Sequence, residues 1–319
     1  MLSRVAESIY WMSRQVERAD NLARVREVTH DLILDQPESL VDPWEPLVQV
    51  TADKELFLER HDQFTADSVT HFLAFDEHYP NSMLSSLRLA RENARGVRES
   101  LSSEAFEQLN EFYHFVLDAS RQPSLQSPND YFDAVRRIAI QWTGVLDSTM
   151  PRDIGWHFAN VGRLIERADK TSRILDVKYF NLLPRVDDVG TAIDDLQWSA
   201  LLYAISGFEA YRRESHSIGI HEVVKFFLFN RSFPRSVLFC VAGADWSLAE
   251  INERSRAKEP KALAKIKMGE LRHRLSHTKV EEVLAGGMHQ FIDLLQTSLN
   301  DIGDAMNEDY FQSLVSESR

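Results

Sequence analysis

Two short stretches of this chain carry the same charged residues at the same spacing. Arg14, Glu17, Arg18 and Asn21 stand three or four residues apart, as do Arg163, Glu166, Arg167 and Lys170. That spacing sets each group side by side along one stripe of an α-helix. Guanidinium forks so arranged can grip a carboxylate or a phosphate through two parallel hydrogen bonds. Glu17 and Glu166 would orient the arginines, or one would act as a general base toward an incoming amine if its pKa rose. The two glutamates are therefore the candidate catalytic residues, and Arg14, Arg18, Asn21, Arg163 and Arg167 the candidate contacts to an anionic substrate. The alternative is a solvated face laced by ion pairs, each contributing about 0.2–0.5 kcal/mol.

Repetition weighs against a merely solvated face. Arg14 to Arg24 reads R-x-V-E-R-A-D-x-x-A-R, and Arg163 to Arg173 reads R-x-I-E-R-A-D-x-x-S-R. Val69 to Ala90 and Val223 to Ala244 form a second matching pair, with Tyr79-Pro80-Asn81-Ser82 in one and Phe233-Pro234-Arg235-Ser236 in the other. The offset is 149 residues for the first block and 154 for the second, so the second half gained about five residues between them. At the larger offset Leu47, Glu55 and Phe57 match Leu201, Glu209 and Tyr211. Blocks repeating in the same order predict duplication of a whole half. Freely solvated charges should drift apart after duplication. Retained ones point to a ligand site, or to pairs across an interface, where stranding one buried charge costs about 3–5 kcal/mol.

Other candidates lie in only one copy. Arg88, Arg91, Glu92, Asn93 and Arg95 fall within two helical turns, and the mid-helix Asn93 is locally unfavourable. The second half has Asp245-Trp246-Ser247 instead. Arg213, beside Arg212, and Arg235 likewise lack basic counterparts, since Leu58-Glu59 and Asn81 stand at those places. Such differences would let one asymmetric site arise from a doubled scaffold. His273 and His277 lack the glutamate of a zinc-protease helix, and Arg272 and Arg274 flank them, so no metal is expected. No glycine-rich phosphate loop, nucleophile elbow or triad is present, and no cofactor is expected.

The elements that must position these residues read as helices. Val5, Met12, Val16, Ala19 and Ala23 share one helical arc, opposite Tyr10, Arg14, Glu17, Arg18 and Asn21; the second copy repeats this with Val161, Ile165, Ala168 and Ser172. Small residues on that face would allow close helix approach. Further helices are predicted at 44–60, 64–76, 81–99, 102–120, 129–147, 191–214, 220–229, 234–253, 259–275 and 278–307, with Ser82, Ser102 and Ser236 near helix starts. Arg121 to Asp130 is the best linker, and Pro184 with Asp187-Asp188 marks another break. Residues 308–319 are expected to fray. With 12 Gly and 10 Pro in 319 residues, a turn-dense β protein is disfavoured. The expected fold is an all-α helical bundle of two pseudo-symmetric halves, 1–147 and 148–319, forming one compact unit.

A net charge of −13 argues against a general nucleic-acid role. The single cysteine, Cys240, lies in an apolar run and reads as a buried hydrophobe, which fits a reducing compartment. The first residues lack the pattern of a secretory signal, and no apolar run approaches membrane-spanning length. A cytoplasmic protein without membrane contact is expected.

Four segments in order, MLSRVAESIYWMSRQVERADNLAR, LSSLRLARENARGVRESLS, GRLIERADKTSRILDVKYF and FPRSVLFCV, resemble the bacterial Alpha-E domain proteins. The family's Glu-Arg motif falls on Glu17-Arg18 and again on Glu166-Arg167. The resemblance implies an all-α fold and genes usually placed beside a circularly permuted ATP-grasp protein and a transglutaminase-like protease, with occasional fusion to the former. It implies a peptide-synthesis or peptide-modification system in which the ATP-grasp enzyme activates a carboxylate as an acyl phosphate. The function expected here is a helical component of that system whose Arg/Glu cleft binds an anionic peptide, amino acid or intermediate. The competing expectation is a structural protein whose Glu-Arg pairs lock the halves and scaffold the partner.

Overall fold

Residues that favour helices dominate, and fifteen α-helices form among the described residues, with no strand. The computed structural model describes residues 1–35, 44–51, 53–122, 124–181, 192–255 and 263–312. The first seven helices are α1 (Ser3–Asp35), α2 (Glu45–Thr51), α3 (Lys54–Leu58), α4 (Ala66–Thr70), α5 (Met83–Gly96), α6 (Ser103–Ser120) and α7 (Pro128–Thr149). Then come α8 (Ile154–Asn181), α9 (Ala192–Ala204), α10 (Phe208–Glu214), α11 (Ile220–Phe229), α12 (Val237–Arg254), α13 (Leu263–His277), α14 (Val280–Gly286) and α15 (Met288–Met306). The fold is all-α, as expected.

The two longest helices carry the two charged motifs and pack against each other. Gly162 lies on the Tyr10 carbonyl, while Glu166 and Arg167 meet Arg18 and Glu17 further along. The contacts ascend together, so α1 and α8 run in the same direction. α1 also packs on α5 and α7, and α8 on α12 and α15. α9 reaches across to α1, and α2 reaches across to α8. Buried side chains from all of these join one continuous apolar core.

Aromatic stacks set the two loops that flank the motifs. Phe72 stacks on Tyr79 with ring centres 4.1 Å apart and meets Phe57 edge-on. In the second half Phe226 packs on Phe233 at 4.7 Å and meets Tyr211 edge-on. These are the positions that the sequence blocks align. Each stack is followed by a serine N-cap: Ser82 Oγ accepts from the Ser85 amide and Ser236 Oγ from the Phe239 amide, which starts α5 and α12. Ser102 caps α6 in the same way. Asn81 and Arg235 therefore sit just before a capped helix, pinned by an aromatic on one side and a cap on the other.

Several predicted helices are divided. The 44–60 segment splits because Asp53 leaves helical geometry, and its carboxylate accepts from the Tyr79 hydroxyl. The 64–76 segment widens into a π turn at His71–Phe75, closed by the Asp76 amide on the His71 carbonyl. The 278–307 segment breaks at Gly287, whose φ of +95° suits glycine. The 191–214 segment breaks at Ser206-Gly207, described below. Arg121 to Ser127 lies outside helices where described, but α7 already begins at Pro128. Tyr310 and Phe311 are buried in a π turn rather than frayed. Pro184, Asp187-Asp188 and residues 313–319 lie outside the described residues. Cys240 is fully buried, and burial pushes its thiol up to about 12.

The close approach of α1 to α8 is testable. A Cβ at Gly162 would overlap the Tyr10 backbone, which cannot yield as a side-chain tip can. Gly162→Ala is expected to destabilise the protein by about 1–3 kcal/mol or more in urea unfolding. Gly144→Ala, on α7 with nothing within 4 Å of its Cβ, should be neutral or stabilising by up to about 1 kcal/mol.

Candidate functional site

The two charged ridges face each other across the α1–α8 contact and bind reciprocally. Arg167 donates to both oxygens of Glu17, from Nε at 2.8 Å and from Nη2 at 2.7 Å. Arg18 donates to both oxygens of Glu166, from Nε at 2.7 Å and from Nη2 at 3.2 Å. Each glutamate is thus held by the arginine of the other motif. Glu17 is 4% exposed and Glu166 fully buried, so the ridges are interior. Both arcs of α1 are buried here: Tyr10, Glu17 and Asn21 are covered along with Met12, Val16, Ala19 and Ala23.

Around that lock the surroundings differ. Glu166 also binds Arg14, from Nε at 3.0 Å, and lies 3.9 Å from the Lys170 ammonium. Arg18 reaches on to the Asn81 side-chain oxygen at 2.5 Å. On the other side Arg235 donates to Glu17 at 3.2 Å, to Asn21 at 3.0 Å, and to Asp20. Asp20 is also gripped by Arg24 Nε at 2.9 Å. Burial alone would push the Glu166 carboxyl up, but Arg18, Arg14 and Lys170 more than reverse it and hold it well below the ordinary range. Burial likewise opposes ionisation of Asp20, yet Arg24 and Arg235 bring it down to about 2. Burial lowers Arg235 to about 10.

The geometry favours the orienting role over the general base. A base needs a raised pKa and a free oxygen. The Glu166 pKa moves downward, and both oxygens of Glu166 and of Glu17 are engaged by arginines. The two glutamates orient cations.

Two cavities flank the lock. One, of about 320 Å³ on the Glu17 side, is lined by Arg24, Arg163, Arg167 and Arg235 against Glu17 and Asp20, with an apolar wall including Trp142, Ile140 and Phe233. The other, of about 200 Å³, is lined by Arg14, Arg18, Lys170 and Arg173 against Asp53 and Asp169. In each, four cations face two carboxylates. Arg14, Arg18, Asn21, Arg163, Arg167 and Arg235 are all brought to this region, as expected.

The remaining candidates are not. Arg88 is exposed near Glu77, Arg91 binds Asn110 and lies over Tyr113, and Glu92 pairs with Arg91 and Arg95 on the outer face of α5. Asn93 is half-buried on the same helix, and Arg213 is exposed on α10. None of them lines either cavity. Their stripe faces outward because α5 spends its apolar face on α1 and α6.

Residues that spacing did not single out complete the site. Asp20 and Arg24 belong to the repeated block, and their pairing with Arg235 and Ser206 is set by packing. Asn81, Asp53 and Tyr79 come from elements whose approach no local pattern gives, whereas Lys170 lies on the α8 stripe itself. Ser206 had no signal at all. It ends α9 with φ of +52°, its amide bonding the Tyr203 carbonyl while the Gly207 amide bonds that of Leu202, the pattern in which glycine is usual at the first of the two. Its hydroxyl accepts from Arg24 at 2.6 Å, which gives the strained position a purpose. Separately, Asp176, His289 and Asp293 could hold a metal ion; the His289 ring nitrogens already face Asp176 at 3.0 Å and Asp293 at 3.3 Å.

Fold and site together define a class: an all-α protein in which two Glu-Arg helices pair in the interior. The chain belongs to the Alpha-E family, described as a predicted alpha-helical domain with a conserved ER motif, whose model matches residues 1–311. Similar proteins include an uncharacterized protein of Mycobacterium bovis and one of Mycobacterium tuberculosis, each 25% identical over 328 residues, covering 95% of this chain. A further one from a second M. tuberculosis strain is 24% identical. The chain spans 36% of the length of these relatives. No solved structure matches. No helix among the described residues is long and apolar enough to cross a membrane.

Glu166→Ala would strand Arg14 and Arg18 in the interior and is expected to cost about 3–5 kcal/mol. Arg95→Ala, at an exposed position of α5 paired only with exposed Glu92, should change stability by under about 0.5 kcal/mol. Urea unfolding of the two variants measures the difference. A pH series adds a second reading. Glu166 and Asp20 bind protons less readily folded than unfolded, so their contribution is complete above the ordinary carboxylate range and is lost as the pH falls toward about 2. Wild type is expected to lose stability steeply below about pH 4, and Glu166→Ala less steeply.

Proposed function

We propose that this protein is a helical component, itself without a nucleotide site, of an ATP-grasp-linked system that makes or modifies peptide or other amide bonds in the cytoplasm. Its basic cavities hold an anionic peptide, amino acid or acyl-phosphate intermediate. The observation that carries the reading is the excess of cations over carboxylates in both cavities, within a chain of net charge −13. Glu17 and Glu166 keep the arginines in place, and Arg163 and Arg173 stand at the cavities rather than in the lock. The partner is a circularly permuted ATP-grasp protein, with a transglutaminase-like protease as a second associate. Family resemblance supports that pairing. The part of the relatives beyond the matched 36% would accommodate a fused partner. The halves 1–147 and 148–319 are taken as descendants of one duplicated unit, which the repeated blocks support.

A structural reading is favoured by one observation: Glu166 is fully buried with both oxygens engaged, as in a lock between helices. The two readings part on variants that spare the lock. In a pull-down and ligation assay with the ATP-grasp partner, Arg163→Gln is expected to retain the partner and to lose about tenfold or more in turnover, a larger loss than its fall in thermal stability accounts for. Full turnover in that variant, with loss in Glu166→Ala tracking stability alone, would leave only the structural role.

A further inference from the structure

The two cavities use their arginines differently, and the difference has a traceable cause. On one side Arg14 binds Glu166 through Nε and Nη2, at 3.0 and 2.9 Å. By motif spacing the counterpart of Arg14 is Arg163, and the matching carboxylate is Glu17. Arg163 has no hydrogen bond to Glu17, because Arg235 occupies that place at 3.2 Å. Arg235 stands where the first copy has Asn81, a residue too short and uncharged to compete.

Arg163 is left over. It donates to the Asn160 side chain at 2.7 Å, and its ion pair with Asp147 spans a long 3.7 Å. Its buried Nε has no hydrogen-bond partner among the described residues. Burial, with Arg167 alongside, weakens its hold on its proton, as for a cation lacking compensation. Two further buried groups on residues around the same cavity, Trp142 Nε1 and Ser13 Oγ, also have none among the described residues. These three atoms are themselves shut off from solvent, so what the cavity wall presents is the rest of the Arg163 guanidinium, held only by Asn160 and the long pair with Asp147.

The chemistry of the acceptor follows from the count of available charges. Arg24, Arg167 and Arg235 are committed to Asp20 and Glu17, so one guanidinium remains. A single planar fork matches one carboxylate, whereas a phosphate dianion calls for more donors. Ile140, Ile205 and Phe233 supply apolar wall, and about 320 Å³ lies within the range of small-molecule sites. We infer that the Glu17-side cavity binds a carboxylate bearing an apolar substituent, with the carboxylate on Arg163 and the substituent against Ile140, Ile205 and Phe233. This rests on the reading of the cavities as anion sites and narrows it to one cavity and one ligand class.

Titration calorimetry on the whole chain, without any partner, tests this with N-acetylphenylalanine, its uncharged amide and inorganic phosphate. The acid is expected to bind, and the amide about tenfold or more weaker. Arg163→Gln should weaken the acid about tenfold or more, while Arg91→Gln on the outer face changes it by less than about twofold. Ile140→Asp, at an exposed position that the core does not need, should weaken it severalfold by repulsion and answers the question even if the Arg163 variant fails to fold. Equal binding of acid and amide, or an acid affinity unmoved by both cavity variants, would overturn the inference. Binding of phosphate but not of the acid would overturn it too, yet leave the anion reading standing. No binding by either anion would remove both.

Discussion

Glu17 and Glu166 each lie in the interior with an arginine from the opposite helix closed over them, and most of the architecture follows from that exchange. Removing a carboxylate from water costs several kcal/mol, and the cost is offset only when a well-aligned cation and further donors surround it. Neither helix could bury its ridge alone, since each carries a glutamate whose partner belongs to the other. α1 and α8 must therefore meet side by side, in the same direction and in one register. Gly162 permits the approach, because any side chain there would strike the Tyr10 backbone. The remaining helices wrap this pair: α5 and α7 cover α1, and α12 and α15 cover α8.

The lock is close to symmetric, but its surroundings are not. Two loops built alike, each with an aromatic stack before it and a serine cap behind, deliver Asn81 to one side and Arg235 to the other. Asn81 accepts from Arg18 and leaves Glu166 to Arg14 and Arg18. Arg235 takes a place on Glu17 and leaves Arg163 facing a cavity. The two ion clusters therefore differ: Glu166 holds Arg14 and Arg18, whereas Glu17 holds Arg167 and Arg235 and leaves Arg163 to Asn160 and a long pair with Asp147. Ser206 adds to the asymmetry by holding Arg24 from a strained turn.

This division separates what holds the molecule together from what can meet a ligand. Glu166, gripped by Arg14 and Arg18, is held ionised below the ordinary carboxylate range, which suits orientation better than proton abstraction. Arg163 and Arg173 stand instead at the cavity walls. The Glu-Arg signature that marks the family forms, in this chain, the buried ion pairs between α1 and α8, and less regular neighbours line the cavities beside them.

Much of this was written in local spacing. Helical stripes at Arg14-Glu17-Arg18 and Arg163-Glu166-Arg167, the serine caps at 82, 102 and 236, the apolar run around Cys240 and the absence of any strand pattern all depend on residues within a few turns of one another, and they hold in the folded chain. Spacing says which residues share a stripe, but not what that stripe faces. The Arg88–Asn93 stripe looked as rich in charge as the Glu-Arg ridges, yet it points outward. Ser206 and Gly287 break helices whose periodicity runs through them. That Arg235 displaces Arg163 from Glu17 depends on side chains more than seventy residues apart along the chain. Such outcomes are competitions among groups that meet only after packing, and burial decides them by making an unpaired charge costly.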